Sequence, residues 1–225
     1  HTIKDGEKTY KVRMLPSGFL NKDAKVMVGP GVVVNPDVLL KEMSDFGVEG
    51  RAFLDYNCGI IEQSHREADS QGRLKEKIGS TGSGTGPANA ERAMRTLKMA
   101  KEIASLQNYL IDVPQELNSA LDRNENILIE GTQGTHLSLW HGTYPFVTTK
   151  DVTASGICAD VGIGPKRIDD VIVVFDTGGV DADFSEIVGD FLTIIRDLVF
   201  VEVNVSRIIG NSTVIGGDIS GVVGN

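Results

Sequence analysis

Hydroxyl side chains alternate with glycines in the segment Ile78–Arg95, IGSTGSGTGPANAERAMR; they are Ser80, Thr81, Ser83 and Thr85. Glycines let a backbone fold so tightly that successive N–H groups point at one anion. The helix predicted after Pro87 adds unpaired N–H groups and a dipole, and Arg92 and Arg95 add guanidinium groups suited to phosphate. No Gly-Lys-Ser/Thr ends the segment, so it is not a Walker A loop. From the residues alone, a phosphate site and a flexible Gly/Ser linker remain equally open.

A second segment, Ile129–Pro165, reads IEGTQGTHLSLWHGTYPFVTTKDVTASGICADVGIGP. Small residues flank Gln133, whose amide carries both a hydrogen-bond donor and an acceptor. That pair of groups is what reading the edge of a purine requires. The alternative interpretation is a turn at the end of a strand with a capping glutamine. For the motif EGTQG taken alone, we favour that simpler structure.

Strands and helices that alternate along the chain must position these two segments. The alternation predicts an α/β fold, and the continuous apolar run near residue 170 indicates a sheet covered on both faces. The predicted strands are Tyr10–Leu15, residues 25–29 and 31–34, residues 51–56, Asn126–Gly131 and Asp169–Phe175. The predicted helices are Pro36–Phe46, Ile60–Asp69, Asn89–Ala104 and Pro114–Leu121.

Composition limits the class of protein. The chain has 225 residues, 40% of them hydrophobic, and a formal net charge of −9, which argues against broad nucleic-acid binding because that needs clustered Lys and Arg. No apolar run approaches the roughly 18 residues of a membrane span. Two distant cysteines, Cys58 and Cys158, fit a reducing cytoplasm. The chain has neither an initiator Met nor a signal-peptide profile, so we expect it to start inside a longer protein.

Charge also divides the chain into two predicted parts. Residues 176–225 carry eight acidic and two basic residues and are rich in Gly and Val. We therefore expect an α/β domain over residues 1–175 and an acidic tail of unknown role over residues 176–225.

Taken together, the two segments resemble adenylosuccinate synthetase, in its short archaeal-like form. The resemblance rests on IGSTGSGTGPA, EGTQGTHLSLWHGTYPFVTT and the opening HT, with support from KVRMLPSGF, GPGVVVNP and DVTASGICADVGIGPKRIDDVIVVF. It covers about residues 1–175. It implies a large mixed sheet flanked by helices, related to P-loop nucleotide hydrolases, in a cytoplasmic homodimer. It also implies a GTP- and Mg²⁺-dependent ligase that joins L-aspartate to IMP through a 6-phosphoryl intermediate.

The same resemblance assigns IMP-binding residues. Ser80, Thr81 and Gly82 would hold the 5′-phosphate, with Thr148 near it, and Arg95 would reach the IMP of the partner subunit. Gln133 would lie beside the purine 6-position and take part in catalysis.

Residues for GTP follow from the match of the opening HT. His1 would be catalytic and act on the phosphate being transferred, where a donor imidazole stabilises developing charge. Thr2 would lie in the GTP site beside it. No metal ligand is assigned, because the family's magnesium-binding aspartate belongs to a Gly-Asp-Glu-Gly-Lys-Gly loop expected before residue 1.

The resemblance also leads us to expect that this chain carries only part of the activity. The loop that binds aspartate and the element that selects guanine are expected after Phe175, where the sequence instead reads DTGGVDADFSEIVGDF. We therefore expect an IMP half-site without complete GTP or aspartate sites, in a chain that is inactive alone. The alternatives are a non-catalytic nucleotide-binding remnant of the family and a viral-type ligase acting on a guanine deoxynucleotide.

Overall fold

The computed structural model describes residues 2–71 and 73–172. The strands are β1 (Thr2–Asp5), β2 (Lys8–Lys11), β3 (Val26–Val28), β4 (Val33–Val34), β5 (Ala52–Asp55), β6 (Gly59–Ile60) and β7 (Leu110–Ile111). The α-helices are α1 (Pro36–Asp45), α2 (Gln63–Ser70), α3 (Arg73–Ile78), α4 (Thr85–Met94), α5 (Val113–Asp122) and α6 (Ala154–Val161). Among these residues, no helix has both the length and the apolar composition needed to cross a membrane. His1 and the predicted tail, 176–225, lie outside the described residues.

Parallel pairing joins strands that are separated by helices. β5 lies between β3 and β7, and β4 pairs with β6, all in parallel. β1 and β2 form an antiparallel hairpin. Parallel strands need crossover connections, and helices supply them. The structure thus confirms the α/β class with helices flanking parallel strands.

Side-chain caps set where the helices begin. Asn35 Oδ1 accepts a hydrogen bond from Val38 N at 3.1 Å, and Pro36 occupies the first helical position of α1. Asp112 caps α5 in the same way, through Gln115 N at 2.8 Å. Both helices were predicted within about one residue, because these caps can be read in the sequence.

The helix predicted over Asn89–Ala104 is wrong at both ends. α4 begins at Thr85 and ends at Met94, where Arg95 adopts a left-handed φ of 64°. Ala100 and Ala104, which the predicted range includes, lie beyond the end of α4, and Met94 is 64% exposed. A helical spacing of residues that is counted across a left-handed residue does not correspond to one continuous helix.

Three strand predictions also need correction. Asn126–Gly131 is not a strand, and neither is the described part of Asp169–Phe175, residues 169–172. A strand forms only where another strand accepts its hydrogen bonds, and no described strand pairs with either run. The third, Tyr10–Leu15, is a strand only as far as Lys11. Beyond it, the backbone N–H groups of Arg13, Met14 and Leu15 donate to the carboxylate of Glu42 instead of to another strand.

Arg92 fastens α4 to the loops beside the parallel strands. Its guanidinium donates to the carbonyl oxygens of Pro30 at 2.7 Å, Val32 at 3.2 Å and Asn57 at 3.0 Å. Burial lowers the pKa of the guanidinium from its usual value, and the nearby Cys58 and Asp160 oppose that shift. Arg92 is therefore a structural residue, and its expected role as a phosphate donor is wrong.

We expect Arg92→Ala to lower the free energy of unfolding by about 3 kcal/mol, because it removes three hydrogen bonds made by one half-buried guanidinium. Arg95→Ala is the matched control, since Arg95 is exposed three residues further on. It should change stability by less than about 0.5 kcal/mol. Urea unfolding of both variants checks the difference, and similar small losses would contradict the role given to Arg92.

Candidate nucleotide-binding site

The glycine loop, residues 79–84, is tied at two points to α2. Ser80 Oγ donates to Asp69 Oδ1 at 2.5 Å, and Gly84 N donates to Asp69 Oδ2 at 2.8 Å. Asp69 lies in the last turn of α2 and is only 2% exposed. The loop is therefore held in one place, which a flexible linker would not be.

Two glycines of this loop have no acceptable replacement. Gly82 and Gly84 adopt φ values of 72° and 86°, where side chains are strained. A Cβ at Gly84 would also lie 2.8 Å from Ile61 Cγ2 and 3.1 Å from Arg66 N. The sequence pattern of glycines thus follows from a tight turn packed against α2.

Hydroxyl groups form a row on the outer side of the glycine loop and lead into α4. Thr81 Oγ1 donates to Ser83 Oγ at 3.2 Å, and Ser83 Oγ lies 3.0 Å from Thr85 Oγ1. Thr81 and Ser83 are exposed. The first turn of α4 has no acidic residue of its own, and its N-terminal dipole favours a negative charge; the carboxylate of Asp69 already accepts from Gly84 N just before the helix. Together these groups can bind a phosphate.

The signature loop, residues 131–150, folds back on itself. Thr148 N donates to Leu137 O at 2.7 Å, and Leu139 N donates to Lys150 O at 3.1 Å. Asp151 holds the base of the loop, accepting from Ser138 Oγ at 2.8 Å and from Thr153 Oγ1 at 2.6 Å. Burial alone would raise the pKa of Asp151, but these hydrogen bonds outweigh it and hold the pKa below its usual range.

One hydrogen bond connects the signature loop to α4. Asn89 Nδ2 donates to Thr149 Oγ1 at 2.8 Å. Asn89 lies one turn into α4, and Thr149 directly follows Thr148. The structure thus brings Thr148 to the same end of α4 as Ser80, Thr81 and Gly82.

Gln133 lies in a strained part of the signature loop. Its φ is 62°, which is uncommon for a residue other than glycine, and its side chain is half-buried. Glu130, three residues earlier, anchors this turn by accepting from Ser17 N at 2.7 Å and Ser17 Oγ at 2.6 Å. Burial raises the pKa of Glu130, and the bonds from Ser17 partly oppose that shift.

Other predicted site residues lie apart from the glycine loop. Arg95 follows the C-terminal end of α4, a ten-residue helix that is about 15 Å long, so it is beyond the reach of a phosphate at the other end. Thr2 lines an open cleft of about 610 Å³ between β2 and α1. His1 lies outside the described residues.

The described residues contain no cluster of metal-ligating side chains. Within residues 2–71 and 73–172, no group of three or more His, Cys, Asp or Glu side chains is arranged to hold a metal ion. Mg²⁺ prefers oxygen ligands and substrate phosphates, and this part of the chain offers it no such cluster.

Four residues that hold the site were not identified from the sequence: Asp69, Asn89, Glu130 and Asp151. Each acts on a group that is brought close only by the fold. Asp69, for example, is 15 positions from Gly84, and no local pattern relates the two. Of the four, only Glu130 had a signal in the sequence, because it lies inside the EGTQG motif.

Sequence comparison with known proteins finds adenylosuccinate synthetases. A family model described as "Adenylosuccinate synthetase" matches residues 1–104 and 95–177. The adenylosuccinate synthetase of Methanocaldococcus jannaschii is 56% identical over 181 residues, covering 79% of this chain and 52% of the relative. That of Archaeoglobus fulgidus is 56% identical over 177 residues, covering 78% and 52%. The chain spans about half the length of the curated relatives it matches.

Solved structures are similar in fold. A fully ligated adenylosuccinate synthetase from Plasmodium falciparum superposes with a TM-score of 0.70 at 25% identity, covering 77% of this chain and 51% of that one. The succinoaminodeoxyadenylate synthetase of cyanophage S-2L, bound to dGMP and to dATP as an energy donor, gives 0.66 at 30% identity. It covers 74% of this chain and 49% of that one.

The Asp151 bonds make stability depend on pH. Because the folded pKa is below the ordinary value of about 3.9, the stabilisation is present above that pH and is lost as pH falls through the folded pKa. We expect Asp151→Asn to lower the free energy of unfolding by about 2 kcal/mol at pH 7, and by less at pH 3. Urea unfolding of the chain and the variant at both pH values tests this. A difference that does not shrink at pH 3 would contradict it.

Proposed function

We propose, because this chain belongs to the adenylosuccinate synthetase family, that its glycine loop binds the 5′-phosphate of IMP. The observation that carries the proposal is the pairing of a rigid loop with a helix N-terminus. Asp69 fixes the loop, and the hydroxyls of Thr81, Ser83 and Thr85 line its outer side. Hydroxyls, backbone N–H groups and a helix dipole are a complete donor set for a phosphate dianion.

Thr148 would complete this phosphate site. Its neighbour Thr149 accepts a hydrogen bond from Asn89 in the first turns of α4. That contact holds the end of the signature loop against the helix whose N-terminus faces the phosphate. A hydroxyl at residue 148 can then donate from the side opposite the glycine loop.

Gln133 would read the base. Its strained backbone, with φ of 62°, is the kind of local strain that a binding turn retains. An amide oxygen can accept from the purine N1–H, and the amide N–H₂ can donate to the 6-oxygen. As the 6-oxygen gains negative charge, such a donor binds it more tightly and so favours the reaction.

The complete reaction is proposed for the protein as a whole. The terminal phosphoryl group of GTP moves to the 6-oxygen of IMP, and the amine of L-aspartate then attacks C6 and expels inorganic phosphate. The product is adenylosuccinate. His1 and Thr2 are proposed on the GTP side, and Mg²⁺ would supply charge neutralisation at the GTP phosphates. A cytoplasmic location is part of the proposal, supported by two free, buried cysteines.

Arg95 is proposed to act in a homodimer, on the IMP of the partner subunit. Its position about 15 Å from the glycine loop of its own chain supports this. The preceding residue, Met94, is 64% exposed, so an apolar side chain accompanies the guanidinium at this surface. A guanidinium at such a surface can pair bidentately with a phosphate supplied by another copy.

Titration calorimetry of the 225-residue chain tests the proposal. We expect saturable heat with IMP and at least about tenfold weaker binding of inosine, because inosine lacks the charge-assisted phosphate contacts. The curated relatives favour IMP, and a titration with dGMP tests the guanine deoxynucleotide alternative. If the folded chain binds neither IMP nor dGMP, the proposal fails.

A mixing experiment tests the role of Arg95. Arg95→Ala and Thr81→Ala should each weaken IMP binding about tenfold without lowering the melting temperature, since both side chains are exposed. Mixing the two variants should restore tight binding at one site per heterodimer, because that site has Thr81 from one chain and Arg95 from the other. If mixing restores nothing, Arg95 does not act across an interface.

A further inference from the structure

We propose that Asp69 is the positioning residue of the phosphate site, acting on the glycine loop and making no contact with the ligand. This inference rests on the proposed function of the loop. Asp69 lies in α2, outside the two segments that carry the resemblance to the family. Its carboxylate is buried, with the residue 2% exposed, so it faces the underside of the loop.

The two carboxylate oxygens hold the two ends of the loop. Oδ1 accepts from Ser80 Oγ, and Oδ2 accepts from the backbone N–H of Gly84. Gly84 is the residue before α4, with φ of 86°. Fixing it sets the direction in which α4 starts and therefore the direction of its first N–H groups. A single side chain thus sets the distance between the loop and the helix N-terminus.

The direction of the Ser80 bond changes the role of that residue. A hydroxyl has one proton, and the proton of Ser80 is used on Asp69. The same oxygen accepts weakly from Gly82 N at 3.4 Å. Ser80 therefore braces the loop from inside. Thr81 and Ser83 are exposed and bond only to neighbouring hydroxyls, so their hydroxyl groups can turn to donate to a phosphate.

Electrostatic repulsion from a bound phosphate argues against a carboxylate beneath the glycine loop. A buried negative group close to a bound dianion is repulsive, so its presence needs a compensating benefit. The benefit is geometric: hydrogen bonds to an ionised carboxylate are the strong ones, and they restrain a loop rich in glycine. A neutral group of the same shape would keep the geometry of these contacts, with weaker hydrogen bonds, and would remove the repulsion.

Contacts of His65 hold α2 in the position that places Asp69 beneath the glycine loop. His65, one turn earlier, is 3% exposed, and its Nδ1 accepts from Glu62 N at 3.0 Å. The other ring nitrogen, Nε2, lies 3.1 Å from Glu91 Oε2 of α4, although the two are not aligned as a hydrogen bond. The helix that carries Asp69 therefore packs on the helix whose N-terminus forms the site.

Three variants separate positioning from charge: Asp69→Ala, Asp69→Asn and Ser80→Ala. Asp69→Ala removes both bonds, while Asp69→Asn keeps an acceptor for Gly84 N and a polar group for Ser80. Asp112→Ala is the matched control, because Asp112 caps α5 through Gln115 N and lies outside the loop. Each chain is titrated with IMP and with inosine, and amide hydrogen exchange is followed over peptides covering residues 79–86.

We expect Asp69→Ala to weaken IMP binding about tenfold and to speed exchange in residues 79–86, with inosine binding unchanged. Ser80→Ala should fall between it and the unaltered chain. Asp69→Asn should bind IMP within about threefold of the unaltered chain, or more tightly. Asp112→Ala should leave both IMP binding and loop exchange unchanged even where it lowers the melting temperature.

Two results would overturn the inference. Asp69→Asn as weak as Asp69→Ala would mean that the charge is needed and not the geometry. Unchanged loop exchange in Asp69→Ala and Ser80→Ala would mean that Asp69 does not position the loop. If the unaltered chain does not bind IMP, the proposed function fails, and hydrogen exchange still decides whether Asp69 holds the loop. If Asp69→Ala does not fold, Asp69→Asn and Ser80→Ala carry the test.

Discussion

The guanidinium of Arg92 is the constraint on which the rest of the site depends. Its bonds to Pro30 O, Val32 O and Asn57 O hold α4 against the loops that follow β3 and β5. α4 in turn carries the glycine loop at one end and Arg95 at the other. Arg92 thus fixes α4 relative to the parallel strands, and the hydrogen bond from Asn89 to Thr149 fixes the signature loop relative to α4.

Acidic side chains explain how a chain with a net charge of −9 can hold an anion. Several of them accept from backbone N–H groups inside the fold: Glu42, Asp55, Asp69, Glu130 and Asp151. Each fixes a turn whose amides would otherwise be unpaired. The negative charges therefore serve structure at these positions, and the surface of the glycine loop is left to hydroxyls and a helix dipole. Local donors, and not the net charge, decide what this surface binds.

The sequence predicted the parts of the fold that depend on neighbouring residues. The caps at Asn35 and Asp112 begin helices where expected, because a cap acts within three residues. The end of α4 was not predictable, since Arg95 adopts a left-handed conformation that its residue type does not favour. Asn126–Gly131 forms no strand, which shows that strand formation depends on a partner that hydropathy does not reveal. In the site, the glycines and hydroxyls could be read directly, whereas Asp69 and Asn89 act on groups distant in sequence.

An NMR titration of backbone amides with IMP tests the central claim, that the glycine loop and the N-terminus of α4 form the phosphate site. The account predicts that the largest shifts fall on residues 80–86, with smaller ones at Gln133 and Thr148. Inosine, which lacks the phosphate, should shift Gln133 and leave both residues 80–86 and Thr148 unchanged. Shifts confined to the cleft between β2 and α1, or no shifts in a folded chain, would contradict it.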